Sequence, residues 1–328
     1  MSPGIFLFNM KYYHFIFYIL LISIGLISAC QKDVSVKLPN YDEKIVVDGK
    51  IETGLPPFII LSTTKDIFSN NSQDAIFGDY ISDAVIIISD GTISDTLQTI
   101  CSDEIPKEYQ DIGYALFGIP PSLMSKYHIC AYSTTNPAFF GQTGKSYSIE
   151  IQYKGKKYTA STSIVEPTFL DSVYWKPEKN TDMYGYAYAH LTDPTDKYNA
   201  YFWEVLRSNI GKDGKSQDLK FHKTGIPVFD DQFINGVSFE FFYENPRTWR
   251  DTSIPQQFRG LYKKNDTVIV KFSSLDKSTF NFLEKKYVQV NNGTNPFSIP
   301  INIPTNITGG ALGYFGGYST TYYTLICK

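Results

Sequence analysis

The chain has 328 residues, among them 25 Tyr and 24 Phe, and a formal net charge of −3 at pH 7. A chain of this length buries roughly three-quarters of its unfolded surface, so it is not one of the small folds that need disulfides or metals to be stable. With 30 basic residues against 33 acidic ones and no basic stripe, nucleic acid is excluded as a partner class.

The first predicted element is a leader. Lys11 precedes an apolar run over 15–27 (FIFYILLISIGLI), the charged start and apolar middle of a signal peptide. The run is shorter than the about 20 residues of a comfortable membrane span. It ends in Ile27-Ser28-Ala29-Cys30. An aliphatic residue, two small residues and a Cys resemble the bacterial lipobox: small side chains fit the peptidase cleft, and the thiol takes the diacylglyceryl group. Residues 1–29 are therefore predicted to be a lipoprotein signal peptide, Cys30 the lipidation site, and 30–41 a tether. The competing reading is an ordinary secretory signal with a chance Cys. Two or more acyl chains anchor a body stably where one does so only marginally, so the first predicted partner is a membrane. Gln31 is not the Asp that retains enteric lipoproteins at the inner membrane, and Gln31-Lys32-Asp33 resembles the export signal of Bacteroidetes surface lipoproteins. The predicted localisation is the outer membrane, lipid-anchored, on the cell surface.

Strand signals follow. Segments 43–51, 57–63, 83–89 and 93–100 are rich in β-branched residues, and Asp90-Gly91 between the last two marks a hairpin. Segments 147–153 and 156–164 alternate polar and apolar residues around Lys154-Gly155, which puts one face in and one face out. Short strands with frequent turns predict an immunoglobulin-like β-sandwich over 42–165. Glu166-Pro167 marks a boundary, and 166–328 is predicted to be a second β-rich domain, with strands near 169–175, 184–191, 199–208, 237–243 and 267–273. Phe280, Leu283 and Tyr287 lie at helical spacing, so one helix is predicted from about 276 to 289, capped by Ser274 or Asp276. The fold class is mainly β, with one helix near the C-terminus.

Three further cysteines remain: Cys101, Cys130 and Cys327. An exported compartment permits one bridge among them. Cys101–Cys130 is the preferred pair because both lie in the same predicted domain; three buried reduced thiols is the alternative. His128-Ile129-Cys130 has no second His/Cys pair at ligand spacing, so no metal and no other cofactor is predicted. No nucleophile elbow, phosphate loop, dinucleotide fingerprint or His-Glu-x-x-His occurs, and no catalytic residue is assigned. Glycosidase carboxylate pairs leave no sequence signature, so the acids of the second half keep that chemistry open. Asp193-Pro194-Thr195-Asp196 reads as a turn in preference to a calcium loop. Tyr184, Tyr186 and Tyr188 share one strand face, as do Tyr201 and Trp203, and both rows are expected in a core, with sugar stacking or partner contact as the alternative. Asp95-Thr96-Leu97, Asp171-Ser172-Val173 and Asp266-Thr267-Val268 resemble the Bacteroidetes O-glycosylation motif, which nominates Thr96, Ser172 and Thr267; a turn acid before a β-forming residue explains them equally.

The C-terminal text is the most specific. Asn295-Pro296-Phe297 leads to Asn306, Gly309 and Gly310, then to Gly313, Phe315, Gly317 and Tyr318. This resembles the closing motif of domain-of-unknown-function family 4249, found in Bacteroidetes lipoproteins. The resemblance extends over nearly all of the chain after Cys30, through 44–49, Asp83-Ala84-Val85, Lys154-Gly155 and Asp193-Pro194. It implies a two-part, mainly β protein without established enzymatic activity, whose relatives accompany TonB-dependent outer-membrane receptors. Physically the motif reads as a packed corner, since Asn-Pro-Phe fixes a turn and glycines permit close backbone approach; a surface gripped by a partner is the sharper reading. The expected function is a surface binding or accessory protein acting with such a receptor in nutrient uptake, its ligand unassigned. The alternatives are a surface glycan hydrolase or lyase, or a purely structural envelope lipoprotein.

Overall fold

The computed structural model describes Phe17 and residues 42–65, 80–211, 214–292 and 301–328. Apart from Phe17, the leader 1–29, Cys30, the tether up to residue 41 and the motif residues Asn295, Pro296 and Phe297 lie outside these described residues. Residues 43–328 form one compact unit.

Alternation builds the strands. Tyr147, Ile149 and Ile151 are buried while Ser146 and Ser148 are exposed, so the polar–apolar rhythm of this segment leaves only one face suited to a core. The first half contributes β1 (Ile45–Glu52), β2 (Phe58–Thr63), β3 (Val85–Ser89), β4 (Ser94–Thr96), β5 (Gln98–Cys101), β6 (Cys130–Ser133), β7 (Ser146–Tyr153) and β8 (Lys156–Ser163). The second contributes β9 (Ser172–Pro177), β10 (Tyr184–Thr192), β11 (Ala200–Arg207), β12 (His222–Asp230), β13 (Ser238–Tyr243), β14 (Tyr262–Lys263), β15 (Thr267–Leu275) and β16 (Leu312–Ile326). The protein is mainly β, with a helix near the C-terminus.

A central eight-stranded sheet has the order β12-β11-β15-β16-β1-β2-β6-β5. It runs through both halves of the chain, because β16 lies parallel to β1 over Leu312–Tyr318 and antiparallel to β15 over Tyr318–Ile326. Two smaller sheets cover one face of it. The sheet β4-β3-β7-β8 closes a core around Val47, Ile51, Ile86, Ile149 and Phe315. The sheet of β9, β10, β13 and β14 closes a second core around Ala187, Ala189, Tyr201, Trp203 and Phe272. The opposite face of the central sheet carries the C-terminal helix, here α3 (Lys277–Asn292), through Phe280 and Leu283 against Phe202, Tyr314 and Tyr318. Asp276 caps it: its Oδ1 accepts the Thr279 N–H at 2.7 Å, and its Oδ2 accepts the Ser163 N–H, tying the helix start to β8.

Strands β6, β12 and β14 were not foreseen, and neither was a helical insert. Between β5 and β6 the chain makes a helical insert with α1 (Gln110–Phe117) and α2 (Pro121–Met124). Both helices are too short to show a readable 3.6-residue period. The insert keeps its own small core of Ile119, Met124, Tyr127 and Ile129.

The tyrosine row of β10 corrects an expectation. Ala187, Ala189 and Leu191 face the core, and Tyr186 and Tyr188 lie half-buried on the outer face. Period-two alternation groups the side chains but cannot say which group turns inward. The bulk of Trp203 on the facing strand β11 and of Phe241 on the adjacent strand β13 leaves room for alanines, not tyrosines. On the outer face Tyr188 stacks with Tyr174, Phe242 lies 4.8 Å from Tyr186, and Lys176 sits 4.5 Å from the Tyr188 ring. Tyr201 and Trp203 are fully buried.

The C-terminal motif is a backbone junction. Asn306 donates from Nδ2 to the carbonyls of Ser161 and Phe315, and its Oδ1 accepts the Phe315 N–H, which clips β8 to β16. Gly309 and Gly310 hold positive φ in the turn before β16. A Cβ on Gly313 would stand 1.9 Å from the Val47 carbonyl oxygen, at φ +93°, and a Cβ on Gly317 would stand 2.4 Å from the Ser163 carbonyl oxygen. These two glycines let β16 approach β1 at its side and β8 in the covering sheet closely. Gly313→Ala is expected to cost about 2–4 kcal/mol in urea unfolding, from left-handed strain plus overpacking. Gly310→Ala, whose added Cβ meets open space, should cost about 1 kcal/mol. Equal losses would show that the β1–β16 approach is not what Gly313 serves.

Candidate functional site: a lysine-rich cleft on the helical face

Where the central sheet is not covered by α3, its helical face is open. The outward positions of β1 are Asp48, Lys50 and Glu52, alternating with buried Val47 and Ile51. Those of β11 are Phe202, Glu204 and Leu206. Together with Lys271 of β15 they form the floor of a cleft of about 410 Å³. Its walls are the end of α1 (Ala115 to Gly118), the segment Leu219 to Lys223, and Leu283, Lys286 and Tyr287 of α3. The volume falls in the range of small-molecule sites, roughly 300–1,000 Å³.

A buried ion cluster occupies the floor. Lys271 Nζ lies 2.8 Å from Glu52 Oε2 and 3.3 Å from Glu204 Oε2, and all three residues are buried. The Tyr322 hydroxyl donates to the other Glu52 oxygen at 2.9 Å. Burial pushes the Glu52 carboxyl up, but the charge and hydrogen bond of Lys271, aided by Lys50 and Tyr322, outweigh it and hold Glu52 below the ordinary carboxylate range. Burial likewise pulls the Lys271 ammonium down, and Glu204 and Glu52 more than reverse that.

The rest of the cleft carries unbalanced positive charge. Beyond Lys271, Glu52 and Glu204, four lysines line it against one carboxylate, Asp48. Lys286 reaches Asp48 at 3.8 Å. Among the described residues Lys50, Lys220 and Lys223 have no carboxylate partner; Lys50 stands 5.8 Å from the Phe58 ring, and Lys223 lies 5.9 and 5.7 Å from the rings of Phe202 and Tyr287. Burial, with the nearby charge of Lys271, lowers the Lys50 pKa. Tyr287 adds a buried hydroxyl that has no hydrogen-bond partner among the described residues.

The residues nominated from sequence lie elsewhere. Cys101 and Cys130 are directly paired on β5 and β6 and joined by a disulfide that brackets the helical insert. His128 Nε2 is 3.2 Å from Cys130 Sγ, and Asp103 holds His128 Nδ1 at 2.9 Å. With the sulfurs bonded to each other, this Cys-His-Cys group has no thiolate to offer a metal. Cys327 is buried, and burial with Asp266 nearby pushes its thiol up to about 12. Asp193 is buried and accepts from the Tyr201 hydroxyl and the Gly236 N–H, so it serves the turn. Thr96 and Ser172 are exposed; Thr267 is half-buried at the start of β15, between β11 and β16. Among the described residues no helix is long and apolar enough to cross a membrane.

Apart from Glu204, one of the second-half acids left open for glycosidase chemistry, the cleft residues were missed in the sequence, though a signal existed. Lys50, Glu204 and Lys271 are single charges inside otherwise apolar strands, in DGKIE, FWEVL and VIVKFSS. Charges at such positions are rarely buried unless paired, which is what the central sheet does with two of them. No curated protein matches the chain. The family model described as a domain of unknown function, DUF4249, matches residues 31–324, and the chain belongs to that family.

Proposed function

We propose that the chain is a binding protein, lipid-anchored at Cys30 on the outer membrane, that presents a small ligand to, or gates it for, a TonB-dependent receptor. The observation that carries the binding reading is the cleft of about 410 Å³ in which Lys50, Lys220 and Lys223 have no carboxylate partner among the described residues. A protein of net charge −3 that concentrates unpaired cations in one concavity has a field suited to collecting anions. The lipobox and Gln31-Lys32-Asp33 support the anchor and its surface address. The family resemblance supports the receptor partnership.

A hydrolase reading has one feature in its favour, two buried carboxylates, Glu52 and Glu204, in one cleft. Glycoside hydrolysis needs one of them protonated as a general acid. Glu52 is held in the opposite direction, and Lys271 sits between the pair. A purely structural envelope role leaves the open cleft unexplained.

Affinity capture of the tagged chain from solubilised outer membranes should recover a β-barrel receptor. Capture without one counts against the partnership. Cys30→Ser should move the body into soluble fractions; retention on membranes would remove the anchor from the reading. External protease on intact cells should digest it, and full protection would place it on the inner side.

A further inference from the structure

We propose that the cleft takes a small organic acid, its carboxylate among Lys50, Lys223 and the Tyr287 hydroxyl and its apolar or aromatic body along Phe58, Phe202 and Phe221. This deepens the binding reading above by naming the ligand class, and rests on it.

Three independent observations converge. The first is charge. Lys50 and Lys223 line the cleft without a carboxylate among the described residues, although Glu52 and Glu204 stand nearby. Both acids are already committed to Lys271, so they offer Lys50 only a distant attraction, while Lys271 and Lys223 repel it. An ammonium in this position gains most from an anion brought by a ligand. The second is the Tyr287 hydroxyl. A buried donor without an acceptor costs about 1–3 kcal/mol, and such groups in folded proteins call for an explanation. A ligand oxygen supplies the missing acceptor, and Lys223 over the Tyr287 ring puts a cation on the same wall. The third is the lining. Phe58, Phe202 and Phe221 lie among the lysines, so a ligand whose charge is met still has rings to lie against. Inorganic anions would leave those rings exposed to water, which favours an acid with an apolar body.

The test titrates the full chain, purified in a mild detergent, by calorimetry with 4-phenylbutyrate and with 4-phenylbutanol. The two probes share a body and differ in the charged head, and protein-free micelles serve as the blank. The acid is expected to bind about 10–100-fold more tightly than the alcohol, as a charge-assisted hydrogen bond would give. Raising KCl from about 0.05 to 0.5 M should weaken only the acid. Lys50→Met should abolish the discrimination. Tyr287→Phe, which keeps the ring and its packing, should weaken the acid about 3–10-fold. Lys44→Met, outside the cleft, should leave the acid's affinity unchanged. Equal binding of acid and alcohol by the unaltered protein, no binding of either, or full discrimination in both cleft variants overturns the proposal. A failed receptor capture together with acid-selective binding overturns the partnership and keeps the site. Equal binding with a recovered receptor does the reverse.

Discussion

Replacing Lys271 with Met is expected to destabilise the protein by about 3–5 kcal/mol at neutral pH, because it strands two buried carboxylates rather than removing one contact. Glu52 and Glu204 both depend on the same ammonium, and Glu52 comes from the opposite end of the chain, 219 residues away. Urea midpoints measure the effect. Met fills most of the volume, so a cavity explains little of the loss. Adding Glu52→Gln to the Lys271→Met background should recover part of it, since one stranded charge is then gone. No recovery would mean that the cluster acts through packing alone.

The pH dependence separates the two backgrounds. In the unaltered protein Glu52 is held below its ordinary value of 4.5, so its contribution is present above that value. It is lost as pH falls through the depressed value. Without Lys271, burial dominates and raises the Glu52 pKa, so acidification from neutral pH should first stabilise the variant. Between pH 7 and about 5 the unaltered protein should be flat for this group while the variant gains stability as pH falls, and that difference is the expected signature. Parallel slopes would show that Glu52 is not the group responsible.

Removing the Cys101–Cys130 bond by a double Ser substitution should cost about 2–4 kcal/mol on the chain-entropy view for a closed loop of this size. The two cysteines are 29 residues apart, and what they enclose is the helical insert. The insert keeps only a small core of its own, and its end forms one wall of the cleft. The loss should therefore be local before it is global. Hydrogen exchange should rise over 102–129 while β7 and β8 keep their protection. Uniform loss of protection across all sheets would show that the bond serves the whole fold instead.

Much of the fold was legible because its signals are local. Alternation in 147–153 and 156–164 marks β7 and β8, and Lys154-Gly155 marks their turn. Asp276 before Phe280 and Leu283 marks the start of α3. The short helices of the insert carried no such pattern. The cleft was not legible for a different reason. Its residues come from β1, β11, β15 and α3, and no local rule says that Lys50 and Lys271 share a face.

The sequence by itself determined the strand rhythm, the turns, the helix cap, the glycine-rich junction at Gly313 and Gly317 and the family, because each depends on neighbours a few residues away or on a contiguous motif. Only the tertiary structure decided which face of β10 turns inward, that β16 lies parallel to β1, and that Lys271 meets Glu52 and Glu204. A two-residue period sorts side chains into two groups without assigning either to the core. That assignment, like the pairing of charges far apart in the chain, is settled when distant strands compete for burial and register.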